Sequence, residues 1–308
     1  AWNPSTPPWH RGFSCMRRQG SAAEDENNAA GKRTEGGSNQ EGANMTIGFI
    51  GLGNMARAVI GGMLDKGIVK PEDICGSAKT EATRKKMEDS CKIRTASSNR
   101  EVAEQAEILV LAVKPQFFEE VIEEIKGISW EGKTIISLAP GKTIAWLQEK
   151  FGQRLPVVRC MPNTPALVGE GCTGVCASPE VGSKARDTVL EILGSFGKAV
   201  EVSEKMMDVV GAVSGSSPAF VFLFIEALAD GAVAEGMPRA QAYEFAAQAV
   251  LGSAKLVLET GSHPGELKDM VCSPGGTTIQ GIKMLEKNNF RGTVMDAVIT
   301  CVEKSRKM

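Results

Sequence analysis

The amino-acid sequence predicts an α/β protein, in which a doubly wound, mostly parallel β-sheet is followed by an all-α C-terminal domain. From Met45 to about residue 204, short apolar runs alternate with amphipathic helical patterns. Strands that alternate with helices predict a parallel sheet covered on both faces. After residue 204 only helical patterns follow. We therefore predict two folded domains, over 45–204 and 205–308.

Eight apolar runs are the candidate strands of the sheet. Five of them are strong: TIGFI, DICGS, EILVLAV, TIISLA and PVVRCM. KIRT, TGVCA and KAVEV are weaker candidates. Between them, patterns such as ARAVIGGMLDKG, REVAEQA and QFFEEVIEEIKG predict the covering helices.

The C-terminal region begins with a pattern that is apolar almost all round, SSPAFVFLFIEALADGAVAEG. Ser217 is the expected cap, with Pro218 at the first helical position. A second helix is expected to end at Gly261, and two further helices complete the chain. Because a helix without a polar face must be buried on all sides, we predict packing against a partner subunit. A tight monomeric bundle is the alternative.

The composition limits the partners that this chain is expected to have. Of its 308 residues, 42% are hydrophobic, and the formal net charge is -2. A chain without a basic surplus has no electrostatic basis for binding nucleic acid. The most apolar stretch, AFVFLFI, stops at Glu226, short of a bilayer span. We expect neither a nucleic-acid nor a membrane partner.

The first 44 residues differ from the rest of the chain. They are rich in Gly, Ser, Asn and Glu without an apolar period, which predicts a disordered extension over 1–44. The segment does not have the apolar core of a secretory signal, and Met45 is a candidate for the natural start. The eight cysteines form no CxxC pair, so we predict free thiols, no metal site and a cytoplasmic location.

A glycine fingerprint follows the first strand and opens the first helix. Gly51, Gly53 and Ala56 fit the G-x-G-x-x-A pattern of a Rossmann-type dinucleotide site. The glycines permit a tight turn, and the N–H groups at the helix start face the pyrophosphate. A purely structural turn is the alternative. The predicted cofactor-binding turn consists of Gly51, Leu52, Gly53, Asn54 and Met55.

The end of the second strand favours NADPH over NADH. An acidic residue about 20 residues after the glycines would bind the ribose 2′-hydroxyl, but Ser77 occupies that place. Lys79 and Arg84 follow it. A strand end with two cations and without a carboxylate favours a 2′-phosphate, with NADH as the second candidate cofactor. The alternative is that these charges are solvated on a helix.

Two further loops leave strands at the carboxyl edge, where ligands bind in such sheets. Lys114 and Pro115 follow the fourth strand in LAVKPQ, and Asn163 follows the sixth in CMPNTP. We predict that Lys114 contacts the cofactor and that Asn163 is a polar contact near the nicotinamide. A solvated cation and a turn residue are the respective alternatives.

A glycine-rich loop near the C-terminal end, SPGGTT, runs into an amphipathic helix. Its N–H groups suit an anion such as a carboxylate, and helix capping by Ser or Thr is the alternative. The chain has only two His and one Tyr, which leaves few acids for reducing a ketone. A protonated imine is already electrophilic, so hydroxyl and N–H groups suffice for its reduction.

The chain resembles the pyrroline-5-carboxylate reductases. The resemblance is carried by GFIGLGNMA, LAVKPQ, RCMPNTP, SGSSPAF, IEALADGAV, HPGELKDMVCSPGGTTI and FRGTVMDAV, which belong to a match that spans almost everything from Met45 on. It implies reduction of the cyclic imine 1-pyrroline-5-carboxylate to L-proline by NAD(P)H, the last step of proline biosynthesis. It also implies a helical domain that forms a homodimer, which in this family often builds larger rings such as a decamer.

The resemblance also implies roles for individual residues. The SPGGTT loop is expected to bind the substrate carboxylate, and Thr278 is expected to contact the ring nitrogen as the catalytic residue. The implied substrate contacts are Ser273, Gly275, Gly276, Thr277 and Thr278. The implied cofactor contacts are the turn at 51–55, Ser77, Asn99, Ala112, Val113, Lys114 and Pro115. Ser217 and Phe220 depart from the family pattern SGSGPAY, and Ser217 is expected to crowd the substrate side of the nicotinamide.

Two other functions fit parts of the sequence. A hydroxyacid dehydrogenase of the same superfamily would share GFIGLGNM, but that class needs a Lys in the first helix after the sheet, and SPAFVFLFIEAL has none. The other alternative is a non-catalytic NADP-binding scaffold. The intact Ser273 and Thr278 argue against it.

Overall fold

Eight strands form one sheet in this computed structural model, which describes residues 45–307. The strands are β1 (Ile47–Ile50), β2 (Ile74–Ser77), β3 (Arg94–Ala96), β4 (Ile108–Leu111), β5 (Thr134–Ser137), β6 (Val157–Met161), β7 (Gly171–Ala177) and β8 (Gly197–Glu201). All eight predicted runs become strands. The extension predicted over 1–44 lies outside the described residues.

The sheet is doubly wound, with the order β3-β2-β1-β4-β5-β6-β7-β8. β1 to β6 run parallel, β7 is antiparallel to β6, and β8 is parallel to β7. The order of the first six strands is that of the Rossmann fold, whose chain reverses its winding direction between β1 and β4. The prediction of a mostly parallel, doubly wound sheet is confirmed.

Helices cover both faces of the sheet. They are α1 (Asn54–Asp65), α2 (Glu81–Cys91), α3 (Asn99–Gln105), α4 (Phe118–Ile125), α5 (Ile144–Phe151) and α6 (Ser183–Gly194). Successive side chains of a strand point to opposite faces. Phe49 therefore packs with α1, α2 and α6, and Ile50 packs with α3, α4 and α5. Each face has its own buried apolar core.

The rest of the chain is helical, as predicted. The helices are α7 (Met207–Val210), α8 (Ser217–Ala234), α9 (Arg239–Thr260), α10 (Pro264–Val271), α11 (Thr277–Lys287) and α12 (Phe290–Ser305). α9 ends at the predicted place, and its C-cap Gly261 has a left-handed backbone with φ of 65°. Three helices follow it, so the prediction of two was wrong. The additional helix is α10, a short helix whose start is capped by the His263 side chain.

The predicted start of α8 was also wrong, because α8 continues an earlier helix. Residues 211–216 form a π-helix that joins α7 to α8, and Ser217 has helical backbone angles. The resulting run, Glu204–Ala234, is long and apolar enough to cross a membrane by length and composition alone. The expectation that no stretch reaches that length was therefore wrong, although buried core helices meet the same criterion.

The helical domain has little apolar core within one chain. Its buried hydrophobic cluster consists of Ala229, Ala242 and Ala246. Large apolar side chains are instead exposed along α8 and α9: Val221, Phe222, Leu223, Phe224, Leu228, Phe245, Leu251, Leu256 and Leu258. The predicted burial of α8 on all sides is not met within a single chain. A further surface is needed to cover it.

Candidate active site

The glycine turn after β1 holds three strand ends together at the reversal of the sheet. Gly51 has φ of 96°, and a Cβ there would lie 2.9 Å from the backbone carbonyl of Ala112. The Gly51 N–H donates to the Ser77 carbonyl at 3.0 Å, and the Ala112 N–H donates to the Ile50 carbonyl at 2.9 Å. Only glycine combines this φ with so close a neighbour. The turn joins the carboxyl ends of β1, β2 and β4.

The N-terminus of α1 has the properties of an anion site. Its N-cap, Gly53, makes no side-chain capping bond, and the first turn contains no acidic residue. By contrast, Thr80, Ser98 and Thr143 cap α2, α3 and α5 with their hydroxyl groups. The first N–H groups of α1 therefore stay available, and open space surrounds Gly53. This end of α1 fits the pyrophosphate of a dinucleotide.

Leu52 differs from its neighbours in the turn. Its side chain is buried, and it lies where a Cβ on Gly76 of β2 would be placed. Of the five residues predicted to form the cofactor turn, Leu52 has only its backbone available for a ligand. Gly53 and Asn54 are exposed, and Met55 is half-buried.

Ser77, at the end of β2, is the first member of a hydrogen-bonded chain. Its hydroxyl is 1% exposed and donates to Asn99 Oδ1 at 2.6 Å. Asn99 Nδ2 in turn donates to Glu124 Oε2 at 2.6 Å. The sequence analysis named Ser77 and Asn99 but missed Glu124. Nothing in the local pattern of α4 distinguishes Glu124 from its solvated neighbours.

Two cations and an exposed ring flank the loop after β2. Arg84 Nη1 donates to the Ala78 carbonyl at 2.7 Å, which fixes the guanidinium at this loop. Lys79 Nζ lies 5.7 Å from the centre of the Phe117 ring. Over residues 45–307, neither Lys79 nor Arg84 forms an ion pair with a carboxylate. Phe117 was missed by the sequence analysis, since its approach to Lys79 depends on the tertiary fold.

The loop after β4 lies at the same edge of the sheet. Ala112 and Val113 are half-buried there, and Lys114 is exposed. Lys114 precedes a short 3-10 helix, Pro115–Phe117, and its carbonyl accepts a hydrogen bond from the Phe117 N–H at 2.9 Å. Its ammonium group is therefore free to reach over the carboxyl edge of the sheet.

Asn163 is buried between the sheet and the helical domain. Its side chain is 8% exposed. Oδ1 accepts a hydrogen bond from the Cys172 N–H at 2.8 Å, and Nδ2 donates to the Ser214 carbonyl at 3.0 Å. These two bonds turn the amide towards the protein backbone. The geometry gives Asn163 a structural bond to the π-helix, and its polar contact near the nicotinamide stays a prediction.

The SPGGTT loop opens α11 without a side-chain cap. The N-cap is Gly276, no Ser or Thr side chain bonds to it, and the first turn contains no acidic residue. Gly275 has φ of 70°, and the Gly276 N–H donates to the Ser273 carbonyl at 3.0 Å. Thr277 and Thr278 are exposed. The loop therefore has the same properties as the start of α1, and the capping alternative does not describe it.

The starts of α1 and α11 belong to different parts of the chain. α11 packs on α12, and α12 packs on α7 and the 211–216 turn. Ser305 Oγ donates to Asp208 Oδ1 at 2.7 Å, which ties the end of α12 to α7. Both Gly53 and the SPGGTT loop are open to solvent in the single chain.

Ser217, a departure from the family pattern, is occupied within its own helix. Its hydroxyl donates to the Val213 carbonyl, as the Ser214 hydroxyl does to the Val210 carbonyl at 2.9 Å. Both bonds reach back four residues across the π-helix. The hydroxyl of Ser217 is therefore directed to the backbone in this chain.

Three cysteine thiols are poor candidates for chemistry. Burial raises the pKa of Cys75, Cys160 and Cys176 above the usual range. Where the structure describes the chain, no three His, Cys, Asp or Glu side chains are grouped to hold a metal ion.

Fold and site together define a nicotinamide-dependent oxidoreductase with a Rossmann domain and a helical domain. The family model for NADP oxidoreductase, coenzyme F420-dependent, matches residues 46–141. The model for pyrroline-5-carboxylate reductase dimerisation matches residues 204–308.

Relatives place the chain within that class. The pyrroline-5-carboxylate reductase of Escherichia coli is 48% identical over 85% of this chain and 97% of its own. That of Arabidopsis thaliana is 41% identical over 85% and 95%. The chain therefore belongs to the pyrroline-5-carboxylate reductase family.

Solved structures agree with this assignment. The pyrroline-5-carboxylate reductase of Coxiella burnetii superposes with a TM-score of 0.81 at 36% identity, over 86% of this chain and 98% of that one. A Plasmodium falciparum pyrroline carboxylate reductase, solved with NADP bound, gives a TM-score of 0.77 at 38% identity over the same shares.

Proposed function

We propose that this chain reduces 1-pyrroline-5-carboxylate to L-proline, the last step of proline biosynthesis, and that NADPH is its preferred hydride donor. The observation that carries the proposal is that α1 and α11, in a member of this family, each start from a glycine-rich turn without a side-chain cap, at Gly53 and at Gly276. A helix N-terminus favours anions. One end suits the cofactor pyrophosphate, and the other suits the substrate carboxylate.

The proposed mechanism divides the work between the two ends. Bound NADPH supplies the hydride. The N–H groups of Asn54 and Met55 bind the pyrophosphate, and those of Gly276 and Thr277 hold the carboxylate. The Thr278 hydroxyl contacts the ring nitrogen. Because a protonated imine becomes a neutral amine, a hydroxyl suffices where a ketone would need a strong acid.

The preference for NADPH is supported by the loop after β2. Ser77 occupies the position at which an acidic residue would bind the ribose 2′-hydroxyl. Lys79 of this loop and Arg84 of α2, whose guanidinium bonds to the Ala78 carbonyl, have no carboxylate partners among the described residues. Asn99, held by Ser77 and Glu124, supplies an oriented amide beside it. We propose that Ser77, Lys79 and Asn99 contact the adenosine end of NADPH. The remainder of the cofactor is proposed to contact Ala112, Val113, Lys114 and Pro115.

The proposed assembly is a homodimer through α8 and α9, with a decamer as the larger ring. It is supported by the exposed apolar side chains of these helices and by the match to a dimerisation model. We place the domain division at residues 204 and 205 and the enzyme in the cytoplasm. Since the SPGGTT loop is exposed in one chain, we propose that pairing of subunits encloses it.

A steady-state assay of the purified full chain tests the proposal. We expect 1-pyrroline-5-carboxylate to drive oxidation of both cofactors, with kcat/KM at least about tenfold higher for NADPH. A tenfold preference requires that the contacts to the 2′-phosphate contribute only about 1.4 kcal/mol. Failure of both cofactors to react would favour the scaffold alternative. Oxidation of a hydroxyacid with NADP would favour the dehydrogenase alternative.

A further inference from the structure

We propose that Asn163 is a positioning residue for hydride transfer, because it fixes the π-helical turn at 211–216 beside the nicotinamide end of the site. The inference rests on the proposed function and adds a residue that acts through the backbone. Asn163 itself touches neither reactant in this assignment.

The orientation of the Asn163 amide is fixed by its two partners. The Cys172 N–H is a donor and must face the amide oxygen of Asn163. The Ser214 carbonyl is an acceptor and must face its NH₂ group. Cys172 belongs to β7, and Ser214 belongs to the π-helix. Asn163 therefore joins the sheet to the helical domain through a side chain that is 8% exposed.

Close packing holds the turn against the same place in the sheet. A Cβ on Gly174 would lie 2.7 Å from Val210 Cγ1, so β7 needs glycine where the helix passes. Met161 Cε lies 3.2 Å from the positions that Cβ atoms on Gly211 and Gly215 would take. The turn has little free space on its sheet side, and a small shift of its backbone meets either Met161 or β7.

The turn lies on the nicotinamide side of the predicted cofactor site. At the start of the helical run, Glu204 accepts a hydrogen bond from Arg159, which lies in the middle of β6. Ten residues later, the Ser214 carbonyl accepts one from Asn163, which lies beyond the end of β6. The helical run therefore extends towards the carboxyl edge. Adenosine is assigned to the β2 end at Ser77, so the nicotinamide extends towards β4, β5 and β6. The π-turn stands beside that half of the edge.

A π-turn needs support that an α-helix does not. Such turns are rare and occur frequently at functional sites. In this turn, side chains satisfy three carbonyl groups: the Ser214 and Ser217 hydroxyls bond to Val210 and Val213, and Asn163 bonds to Ser214. Asn163 is the partner that comes from the sheet. It therefore sets where the turn sits relative to the cofactor edge.

Hydride transfer is sensitive to that placement. Reacting atoms must be about 3 to 3.5 Å apart and aligned, and a misplacement of about 1 Å can cost on the order of a hundredfold in rate. A turn that moves relative to the sheet would change how the substrate faces the nicotinamide. Cofactor affinity would not change, because the pyrophosphate is bound at α1.

The test compares Asn163→Asp with Thr173→Val in the purified full chain. The aspartate can still accept from the Cys172 N–H but cannot donate to the Ser214 carbonyl. We expect kcat to fall at least about tenfold, the primary deuterium isotope effect on kcat to rise with NADPH labelled at the transferred position, and the Kd of NADPH to stay within about twofold. Thr173 is also buried, at 1% exposure against 8% for Asn163, and its hydroxyl has no hydrogen-bond partner among the described groups, so Thr173→Val should leave all three unchanged.

Other outcomes overturn the inference. A kcat within about twofold of wild type would show that the bond to Ser214 does not matter. A lower kcat with an unchanged isotope effect would mean fewer active molecules, and a tenfold weaker NADPH complex would mean a direct cofactor contact. If Asn163→Asp does not fold, Asn163→Ala decides in the same way, because it removes the donor to the Ser214 carbonyl without adding a charge. A wild-type enzyme without turnover would instead defeat the proposed function.

Discussion

The nucleotide-binding domain and the helical domain differ in how much apolar surface each buries within one chain. Phe49 and Phe118 of the first are fully buried, at 0% exposure, on opposite faces of the sheet. Phe222 and Phe245 of the second are 62% and 67% exposed. Burial of such a side chain contributes about 1.5 to 3 kcal/mol. The first domain can gain this energy alone, and the second can gain it only from another surface.

The largest effect is expected from a charge on that exposed surface. Phe222→Asp should weaken the dimer by roughly a thousandfold or more, because an unpaired charge in an interface costs several kcal/mol. Light scattering after size exclusion should show a dissociated or aggregated chain. Val200→Asp is the matched control, since Val200 is also exposed but lies on β8 of the other domain. Native size and full activity in Phe222→Asp would contradict the comparison.

The next-largest effect comes from removing a threonine hydroxyl at two helix starts, that of α11, which has no side-chain cap, and that of α5, which Thr143 caps. Thr278→Ala should lower kcat on the order of a hundredfold, because it removes a contact made where charge changes in the transition state. Its melting temperature and its Kd for NADPH should barely change.

Thr143→Ala provides the opposite result. The Thr143 hydroxyl accepts from the Trp146 N–H at 3.1 Å, so its loss should cost about 1 kcal/mol of stability and leave kcat unchanged. Near-normal turnover with a lowered melting temperature in Thr278→Ala would mean that Thr278 is a cap.

A smaller effect is expected at the cofactor end of the first domain. Ser77→Asp should raise the KM of NADPH about tenfold more than that of NADH, because a carboxylate repels the 2′-phosphate. Ser77→Ala, which loses only the bond to Asn99, should shift both KM values alike. Equal effects of the Asp substitution on both cofactors would show that this strand end does not select between them.

The smallest effect concerns an exposed ion pair at the edge of the sheet. A hydrogen bond from Arg186 holds the pKa of Glu201 below its usual range. A carboxylate with a lowered pKa stabilises the fold above its unfolded pKa, and this contribution is lost as the pH falls through the folded value. Thermal unfolding should show a small excess stability of wild type over Glu201→Gln at pH 7 that disappears under acidic conditions. The same difference at all pH values would contradict this assignment.

The sequence predicts the first domain better than the second for a physical reason. Buried parallel strands appear as short apolar runs, such as EILVLAV, whatever their partners are. The glycine fingerprint is recognised from its place in the sequence, because it directly follows the first strand and opens the first helix. The neighbour that Gly51 approaches, Ala112, is known only from the fold. Even the weak run KAVEV was recognised, because it follows the same alternation with helices.

Features that depend on distant partners were missed. The stretch GAVSGS has the composition of a loop, and packing on Met161 and a bond from Asn163 accompany its π-helical form. Glu124 and Phe117 reach Asn99 and Lys79 only through the fold.

The π-turn at 211–216 also determines the direction in which α8 faces. A helix rotates by about 100° and advances 1.5 Å for each residue, and a π-turn absorbs one residue more than an α-turn. If the turn relaxed to an α-helix, Phe222 and its neighbours would swing by roughly that angle away from the proposed partner subunit. Subunit pairing and the shape of the turn are then thermodynamically linked: whatever tightens the dimer holds the turn in place, and whatever holds the turn tightens the dimer.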